Sequence, residues 1–313
     1  MEEKNMEISV VIPVYNEEES LPPLFERLFP VMESLGREWE VIFVNDGSRD
    51  RSLGILLGCV DRFPGRVKVV DFNGNFGQHM AITAGFSASR GQVVVTMDAD
   101  LQNPPEEIPR LLAETDRGHD VVGTIRSMRK DPFFRKFASK IVNRITNQIT
   151  GLNLNDYGCM LRAYDRRVID LINGCGETTT FIPALAQRFS LNPVEIEVGH
   201  SERETGTSKY SLFRLIRLNF DLMTGFSLFP LQAVTMLGLL VAGFSFIFTI
   251  YMILRRIMVG PEAEGLFTLM TINFFLLGVT MFCVGIAGEY IGRIFQEIRK
   301  RPRYVINRIY GDE

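Results

Sequence analysis

Residues 93–107 read VVVTMDADLQNPPEE, an apolar run that ends in two aspartates one residue apart and is followed by a glutamine and two prolines. The apolar part has the length and the β-branched composition of a buried strand. The polar residues begin where such a strand would end. We therefore interpret Asp98 and Asp100 as side chains at the carboxyl end of a strand.

The chain N-terminal to this stretch, and the part just after it, repeat the same pattern. Apolar runs of similar length alternate with stretches of helical period, among them residues 20–34 and 48–62. This alternation predicts an α/β fold with a mostly parallel sheet and right-handed crossovers. The predicted strands are residues 8–14, 39–45, 67–72, 92–98 and 119–125.

Polar and mostly acidic residues follow these strands. In open sheets of this kind, ligands bind outside the carboxyl ends of the strands, so we expect the functional site there. The residues at those positions are Tyr15, Asn16 and Glu17, then Asp46, Gly47 and Ser48, then Asn75 to His79, then Asp98, Asp100 and Gln102, and finally Arg126.

The aspartate pair has the pattern of a site for a hard divalent cation. Mg²⁺ and Mn²⁺ favour one or two carboxylates together with substrate phosphate oxygens, and Gln102 would add a third protein oxygen. The alternative for Asp100 is that it opens a turn, with Asn103 capping the next helix and Pro104 at its first position. That alternative leaves Asp98 unexplained, although two spaced aspartates alone are an unspecific motif.

Asp46 also allows two interpretations. Its carboxylate, at the end of an adjacent predicted strand, is suited to accept the imide N–H of a nucleobase. It is equally suited to form an Asx turn before Gly47.

The C-terminal third has a different composition. Residues 226–254 and 266–288 each run past twenty positions without a Lys, Arg, Asp or Glu, which is long enough to span a bilayer. Buried core helices are the alternative. Basic residues cluster after the second run and the N-terminus lacks the pattern of a secretory signal, so we expect both chain ends in the cytoplasm.

Two segments have the pattern of basic amphipathic helices, which suit an anionic membrane surface. They are residues 133–151 and residues 209–226, and for the first of them a helix packed on the sheet is the alternative. We therefore expect a cytosolic domain over residues 1–208, a juxtamembrane amphipathic helix over 209–225, and a two-helix transmembrane anchor with a basic cytoplasmic tail over 226–313.

Seven segments together carry a resemblance to a known family. They are VVIPVYNEEESL (10–21), VNDGSRDRS (44–52), NFGQHMAITAGF (75–86), MDADLQNPPEE (97–107), DYGCMLRAY (156–164), ETTTFIPALA (177–186) and RETGTSKYS (203–211). In this order and spacing the chain resembles the family-2 glycosyltransferases with the GT-A (Rossmann-like) fold. Within that family it is similar, over essentially its whole length, to the polyprenyl-phosphate glycosyltransferases.

The resemblance implies a reaction and its partners. It implies inverting, metal-dependent transfer of a single sugar from a UDP-sugar to undecaprenyl phosphate, which feeds lipid A or cell-surface glycan modification. The best-matching donor is UDP-4-deoxy-4-formamido-L-arabinose, and UDP-glucose is the alternative. It also implies a multi-pass protein of the bacterial inner membrane with its catalytic domain in the cytoplasm, a homo-oligomer, and no nucleic-acid partner.

The resemblance further implies roles for particular residues. The nucleotide and diphosphate contacts are Pro13, Tyr15, Glu17, Asp46, Arg203 and Lys209. The ligands of Mg²⁺ or Mn²⁺ are Asp98, Asp100 and Gln102. The lipid-phosphate contacts are Arg126, Arg135 and Ser139. The catalytic aspartates are Asp156, Asp98 and Asp100, where Asp156 is either a base or a residue that orients substrate.

Other classes of protein fit less well. A nucleotidyltransferase would carry a glycine-rich basic loop after the first strand, whereas here that loop reads YNEEES. A processive polysaccharide synthase would carry a Q-x-x-R-W signature, but the single tryptophan, Trp39, lies in a predicted strand. A membrane-anchored nucleotide-sugar binder without turnover remains a further alternative, although the acidic residues that catalysis needs are all present.

Overall fold

The computed structural model describes residues 6–126, 159–175, 181–199, 229–260, 265–298 and 302–312. These residues form two compact units. The first contains the described residues up to 199 together with 302–312, and the second contains residues 229–298.

The first unit is built on one sheet, which has eight strands among the described residues. The strands are β1 (Ile8–Val14), β2 (Trp39–Asn45), β3 (Val67–Phe72), β4 (Val93–Thr96), β5 (Val121–Arg126), β6 (Arg162–Asp165), β7 (Pro193–Val198) and β8 (Ile306–Tyr310). Their order across the sheet is β7-β5-β6-β4-β1-β2-β3-β8. Strands β1 to β4 are parallel, and β6 and β8 are antiparallel to their neighbours, which confirms the predicted mostly parallel α/β fold.

Helices connect the strands. In the first unit they are α1 (Leu21–Ser34), α2 (Ser52–Arg62), α3 (Gln78–Ala88), α4 (Ile108–Asp116), α5 (Arg166–Gly174) and α6 (Ile182–Phe189). A short 3₁₀ helix, Pro105–Glu107, precedes α4. The second unit contains α7 (Phe229–Val259) and α8 (Leu266–Ile298).

The central strands owe their position to unbroken apolar sequence. Every residue of β2 and β3 is buried, as expected for parallel strands covered on both faces. Helix α3 packs closely on β1, because a Cβ atom at Gly85 would lie 2.2 Å from Cγ1 of Val11. Trp39, in β2, is buried and packs near the ring of Phe29.

The predicted strands are present, with β1, β2 and β3 at the expected bounds, β4 shorter than predicted at both ends, and β5 displaced by one or two residues. Three strands, β6, β7 and β8, have no counterpart in the sequence analysis. Strands β6 and β8 are short and carry neither an apolar run nor an alternating pattern. Strand β7, PVEIEV, does alternate apolar and acidic residues, but the sequence analysis did not assign it as a strand. Strand β8 also changes the interpretation of the C-terminal tail. The sequence analysis assigned residues 226–313 to the anchor, whereas residues 306–310 pair with β3 in the sheet.

The second unit consists of the two long apolar helices. Within them, Leu231–Phe248 and Ile272–Gly292 are long and apolar enough to cross a membrane, and their side chains are largely exposed. Such exposure of large apolar side chains would be costly in water and is favourable in lipid. The predicted amphipathic segments 133–151 and 209–225 lie outside the described residues.

Candidate active site

The parallel strands place the predicted site residues at one edge of the sheet. Because β1 to β4 run in the same direction, the loops that follow them meet at their carboxyl ends. Strand β5 points the same way, since β6 is antiparallel to both β4 and β5. Arg126 is the last residue of β5 and therefore lies at this edge. The structure describes its backbone but not its side chain.

The loops after β1 and β2 are joined by hydrogen bonds between backbone and side chain. The Asn16 N–H donates to Ser48 Oγ at 3.1 Å, and the Arg49 N–H donates to Asn16 Oδ1 at 2.8 Å. Asn16 adopts a positive φ of 54°, which its short polar side chain tolerates better than most. The Glu17 N–H donates to Ser52 Oγ at 2.9 Å. The two loops thus form one connected wall.

A second pair of contacts completes that wall. The Glu18 N–H donates to Asp50 Oδ2 at 3.1 Å, and the Arg51 N–H donates to Glu18 Oε2 at 3.0 Å. Burial acts to raise the pKa of Asp50, but hydrogen bonds from Ser52 and Glu18 outweigh it and the pKa is lowered. Asp50 is therefore an ionised acceptor at neutral pH.

Asp46 joins the loop after β2 to the loop after β3. Its side chain is buried, and its Oδ1 and Oδ2 accept the backbone N–H groups of Phe76 (2.7 Å) and Gly77 (2.9 Å). Burial raises the pKa of Asp46, and these two hydrogen bonds partly offset that effect. Gly47 follows with a φ of 69°, and a Cβ atom there would lie 2.5 Å from the carbonyl carbon of Gly74.

The structure thus gives Asp46 an anchoring role that the sequence analysis did not include. Contact with a uracil stays a prediction, and each carboxylate oxygen retains a lone pair for one more donor. Of the other predicted nucleotide contacts, Tyr15 is 45% exposed, while Pro13 and Glu17 are partly buried. The Glu17 carboxylate accepts the hydroxyl of Ser20 at 2.7 Å.

Asp98 and Asp100 lie just beyond β4 and are both partly exposed. Gln78, the first residue of α3, donates from Nε2 to Asp98 Oδ1 at 2.5 Å. Asp100 Oδ1 accepts the N–H of Gln102 at 3.2 Å, so Asp100 does open the turn that the alternative interpretation described. The remainder of that alternative is wrong, because the 3₁₀ helix begins at Pro105 and is not capped by Asn103.

Two residues at this edge belong to the predicted stretch Asn75 to His79 but were given no role of their own. Gln78 orients Asp98, and its place in the loop after the third predicted strand was the signal available in the sequence. His79 packs edge-on against the ring of Phe181, with 5.2 Å between the ring centroids. Its Nδ1 atom is buried without a hydrogen-bond partner, and burial lowers its pKa to about 4. The imidazole is therefore neutral at physiological pH.

Several predicted residues lie outside the described part of the chain. They are Asp156, Arg135, Ser139, Arg203 and Lys209. Their roles stay predictions.

The comparison with known proteins identifies the family. The model of glycosyl transferase family 2 matches residues 9–172, which contain the loops after β1 to β5. The chain belongs to glycosyltransferase family 2. It is accordingly a glycosyltransferase with the GT-A fold, and the edge described above is its candidate active site.

Curated family-2 relatives match almost the entire chain. Proteins of Enterobacter sp. (strain 638) and Klebsiella pneumoniae are each 48% identical over 304 residues, which is 96% of this chain and 93% of the relative. A protein of Photorhabdus laumondii is 46% identical over 312 residues, which is 99% of this chain and 96% of the relative. Each of the three is named undecaprenyl-phosphate 4-deoxy-4-formamido-L-arabinose transferase.

Solved structures support the fold of the family-2 domain. A mycobacterial protein superposes with a TM-score of 0.51 at 20% identity, covering 70% of this chain and 73% of its own. Glucosyl-3-phosphoglycerate synthase from Mycobacterium tuberculosis, in complex with Mn²⁺, UDP-glucose and phosphoglyceric acid, superposes with a TM-score of 0.50 at 17% identity, covering 70% of this chain and 78% of its own.

The predicted ligands of this glycosyltransferase fit a hard divalent cation. The set consists of oxygen donors alone, two carboxylates and one amide, which suits Mg²⁺ or Mn²⁺ and not Zn²⁺. Among the residues that the structure describes, no three His, Cys, Asp or Glu side chains cluster as a ready-made metal site. Any cation held by Asp98, Asp100 and Gln102 would therefore share its coordination with substrate oxygens or water.

Proposed function

We propose that this family-2 glycosyltransferase transfers one sugar from a UDP-sugar to undecaprenyl phosphate, with inversion at the anomeric carbon. The observation that carries the proposal is the 46–48% identity to relatives of one name over nearly the whole chain, including both apolar helices. On the same ground the donor is UDP-4-deoxy-4-formamido-L-arabinose. UDP-glucose is the alternative donor, because fold does not fix which sugar the pocket accepts.

The four loops at the carboxyl edge would form the donor side of the site. The loops after β1 and β2 would receive the nucleotide, with Pro13, Tyr15 and Glu17 beside it. Asp46 holds the next loop in place through Phe76 and Gly77, which gives this wall a fixed shape before substrate arrives. A pre-shaped pocket lowers the entropy lost on binding.

Asp98, Asp100 and Gln102 would hold Mg²⁺ or Mn²⁺ against the donor diphosphate. When bound, this cation supplies electrostatic stabilisation of the charge that builds on the departing UDP. Gln78 fixes one oxygen of Asp98, so the other carboxylate oxygen is oriented in advance. The synthase of M. tuberculosis, which has the same fold, holds Mn²⁺ and UDP-glucose in its crystal structure. Arg203 and Lys209 would close over the same diphosphate.

The acceptor chemistry requires orientation more than a general base. A phosphate monoester has a second pKa of about 6, so the attacking oxygen is largely ionised at neutral pH. Attack in line with the C–O bond of the donor forms the new bond to the anomeric carbon and releases UDP. Arg126, Arg135 and Ser139 would position the lipid phosphate, and Asp156 would orient the sugar or the acceptor.

The apolar helices would keep the enzyme at its lipid substrate. We place the protein in the bacterial inner membrane, spanning it with α7 and α8 and with the glycosyltransferase domain in the cytoplasm. Residues 209–225 would lie along the membrane surface as a juxtamembrane helix. Glycines in the apolar helices permit close approach of neighbouring helices, in keeping with a homo-oligomer.

A UDP-release assay tests this function. Detergent-purified full-length protein is incubated with undecaprenyl phosphate and one of three donors, UDP-4-deoxy-4-formamido-L-arabinose, UDP-glucose or UDP-N-acetylglucosamine, in Mn²⁺ or in EDTA. We expect release with the first donor only, dependent on the lipid and abolished by EDTA. Release with UDP-glucose alone would change the sugar and keep the reaction. Binding of UDP without release from any donor would favour a non-catalytic binder and overturn the proposal.

A further inference from the structure

The C-terminal strand reaches the candidate active site from the outer edge of the sheet. Strand β8 is antiparallel to β3, and its first residue, Ile306, pairs with Phe72 at the carboxyl end of β3. One residue beyond β3, the Asn73 N–H donates to the carbonyl of Val305 at 3.1 Å. The start of β8 therefore lies beside the loop after β3, which contains the two residues that donate to Asp46.

A chain of hydrogen bonds leads from β8 through the sheet to the loop after β2. Asn307 donates from Nδ2 to Asp71 Oδ2 at 2.9 Å. The other oxygen of Asp71 accepts Nδ2 of Asn45 at 2.7 Å, and both of these residues are buried. Asn45 Oδ1 in turn accepts the N–H of Ser48 at 3.2 Å. One exposed amide on the last strand is thus linked to the backbone that follows Asp46.

Contacts between aromatic rings form a second connection from the C-terminal segment to these loops. Tyr304 stacks on Phe72 with 5.0 Å between centroids, and Phe72 meets Phe76 edge-on at 5.6 Å. Phe76 is the residue whose N–H donates to Asp46. The series of hydrogen bonds begins at Asn307, and the series of ring contacts begins at Tyr304. Both series end on the two loops that Asp46 joins.

We propose that the C-terminal strand is a positioning element of the nucleotide site, with Asn307 acting through Asp71 and Asn45 on the loop that carries Asp46. This inference rests on the proposed function, because it assigns that loop to the donor nucleotide. A buried carboxylate that loses one of its donors must find another partner or move, and a connected polar network passes such a change along its length. Loss of the Asn307 amide then lets Asp71 and Asn45 reorient, which releases Ser48.

Three variants of the full-length protein test whether β8 positions the nucleotide site or only holds the C-terminal segment on the sheet. Asn307→Leu removes the donor at nearly constant volume. Asp312→Asn is the matched control, because it breaks an ion pair at the other end of the strand, where Asp312 lies 2.7 Å from the buried ammonium of Lys68. The reciprocal variant Asp71→Asn with Asn307→Asp restores the chain with donor and acceptor exchanged between the two positions.

The readouts are the Kd for UDP by calorimetry and the split between KM and kcat. For Asn307→Leu we expect the Kd for UDP and the KM for the donor to rise about tenfold, with kcat within about twofold of the wild type. Asp312→Asn and the reciprocal variant should bind UDP as the wild type does. Unchanged UDP affinity in Asn307→Leu, or an equal loss in Asp312→Asn, would overturn the inference. Absence of UDP binding by the wild type would instead overturn the proposed function.

Discussion

Asp98 and Asp100 lie two positions apart but are held by different contacts. Asp98 is oriented by the side chain of Gln78, from another element, whereas Asp100 is held by the backbone of its own turn. Both remain partly exposed at the edge where four loops meet. This combination of fixed orientation and access is what a shared cation requires, and a turn alone would not need it for Asp98.

Replacement of either aspartate by asparagine should abolish most of the transfer. Asp98→Asn and Asp100→Asn keep the size of the side chain and remove the charge that a divalent cation needs, so we expect kcat to fall about 100-fold or more. The UDP-release assay measures it. Asp116→Asn is the control, because that exposed aspartate only pairs with Arg37 on the surface, and it should stay within about twofold of the wild type. More than half of wild-type activity in both site variants would contradict the metal assignment.

His79 should make the stability of the first unit depend on pH. Its pKa in the folded protein is about 4, below the ordinary 6.5, because burial disfavours the charged ring. The unfolded chain therefore takes up a proton first as the pH falls. The free energy of unfolding should therefore be highest above pH 6.5 and fall toward pH 4 by about 2 kcal/mol. This magnitude is smaller than the full pKa difference implies, because His79 is not fully enclosed.

The check is thermal unfolding at several pH values between 7 and 4. His79→Leu should lose less stability than the wild type over this range. His119→Gln serves as the control, because His119 lies on the surface beside Glu114 with a side chain that is 25% exposed. A wild-type pH dependence that His79→Leu leaves unchanged would show that the titrating group lies elsewhere.

At the scale of elements, the loops after β2 and β3 depend on contact between their backbones. Gly47→Ala would place a Cβ atom 2.5 Å from Gly74 while also forcing a positive φ on alanine. We expect it to destabilise the protein by about 3 kcal/mol and to raise the KM for the donor. Gly36→Ala is a matched control, because Gly36 has a φ of 65° and nothing within 4 Å of a Cβ atom. Its cost should be about 1 kcal/mol, with KM unchanged, as measured by unfolding and by kinetics.

The elements also show which features a single sequence can predict. Strands β1 to β5 are predictable because each is an apolar run, and the acidic residues after them then fall at one edge of the sheet. Strand β8 is not predictable in this way. Its sequence, INRIY, is short and largely exposed, and it is held by contacts with β3 that are more than 200 residues away along the chain. The anchoring role of Asp46 depends on a long-range contact too, and a carboxylate after a strand does not reveal whether it faces a ligand or a loop.

At the scale of the whole molecule, the pairing of β3 with β8 constrains the path of the chain. Strand β3 precedes the two apolar helices in sequence and β8 follows them, yet both belong to one sheet. The two flanking segments must therefore lie on the same side of any membrane that the helices cross. Two crossings satisfy this condition and a single crossing does not. The basic residues after α8 predict that this side is the cytoplasm.

Cysteine labelling in intact cells tests this path. Gly260→Cys, just after α7, should react with a membrane-impermeant maleimide from outside, because it lies between the two helices that we propose cross the membrane. Pro302→Cys, which is exposed and precedes β8, should react only after the cells are lysed. The wild type reports any reaction of its own four cysteines. Labelling of Pro302→Cys in intact cells would contradict the cytoplasmic placement of the sheet. Protection of both positions until lysis would mean that the helices do not cross the membrane. Reaction at the loop position together with protection of the tail position would support two crossings, with both strands of the β3–β8 pair on the inner side of the membrane.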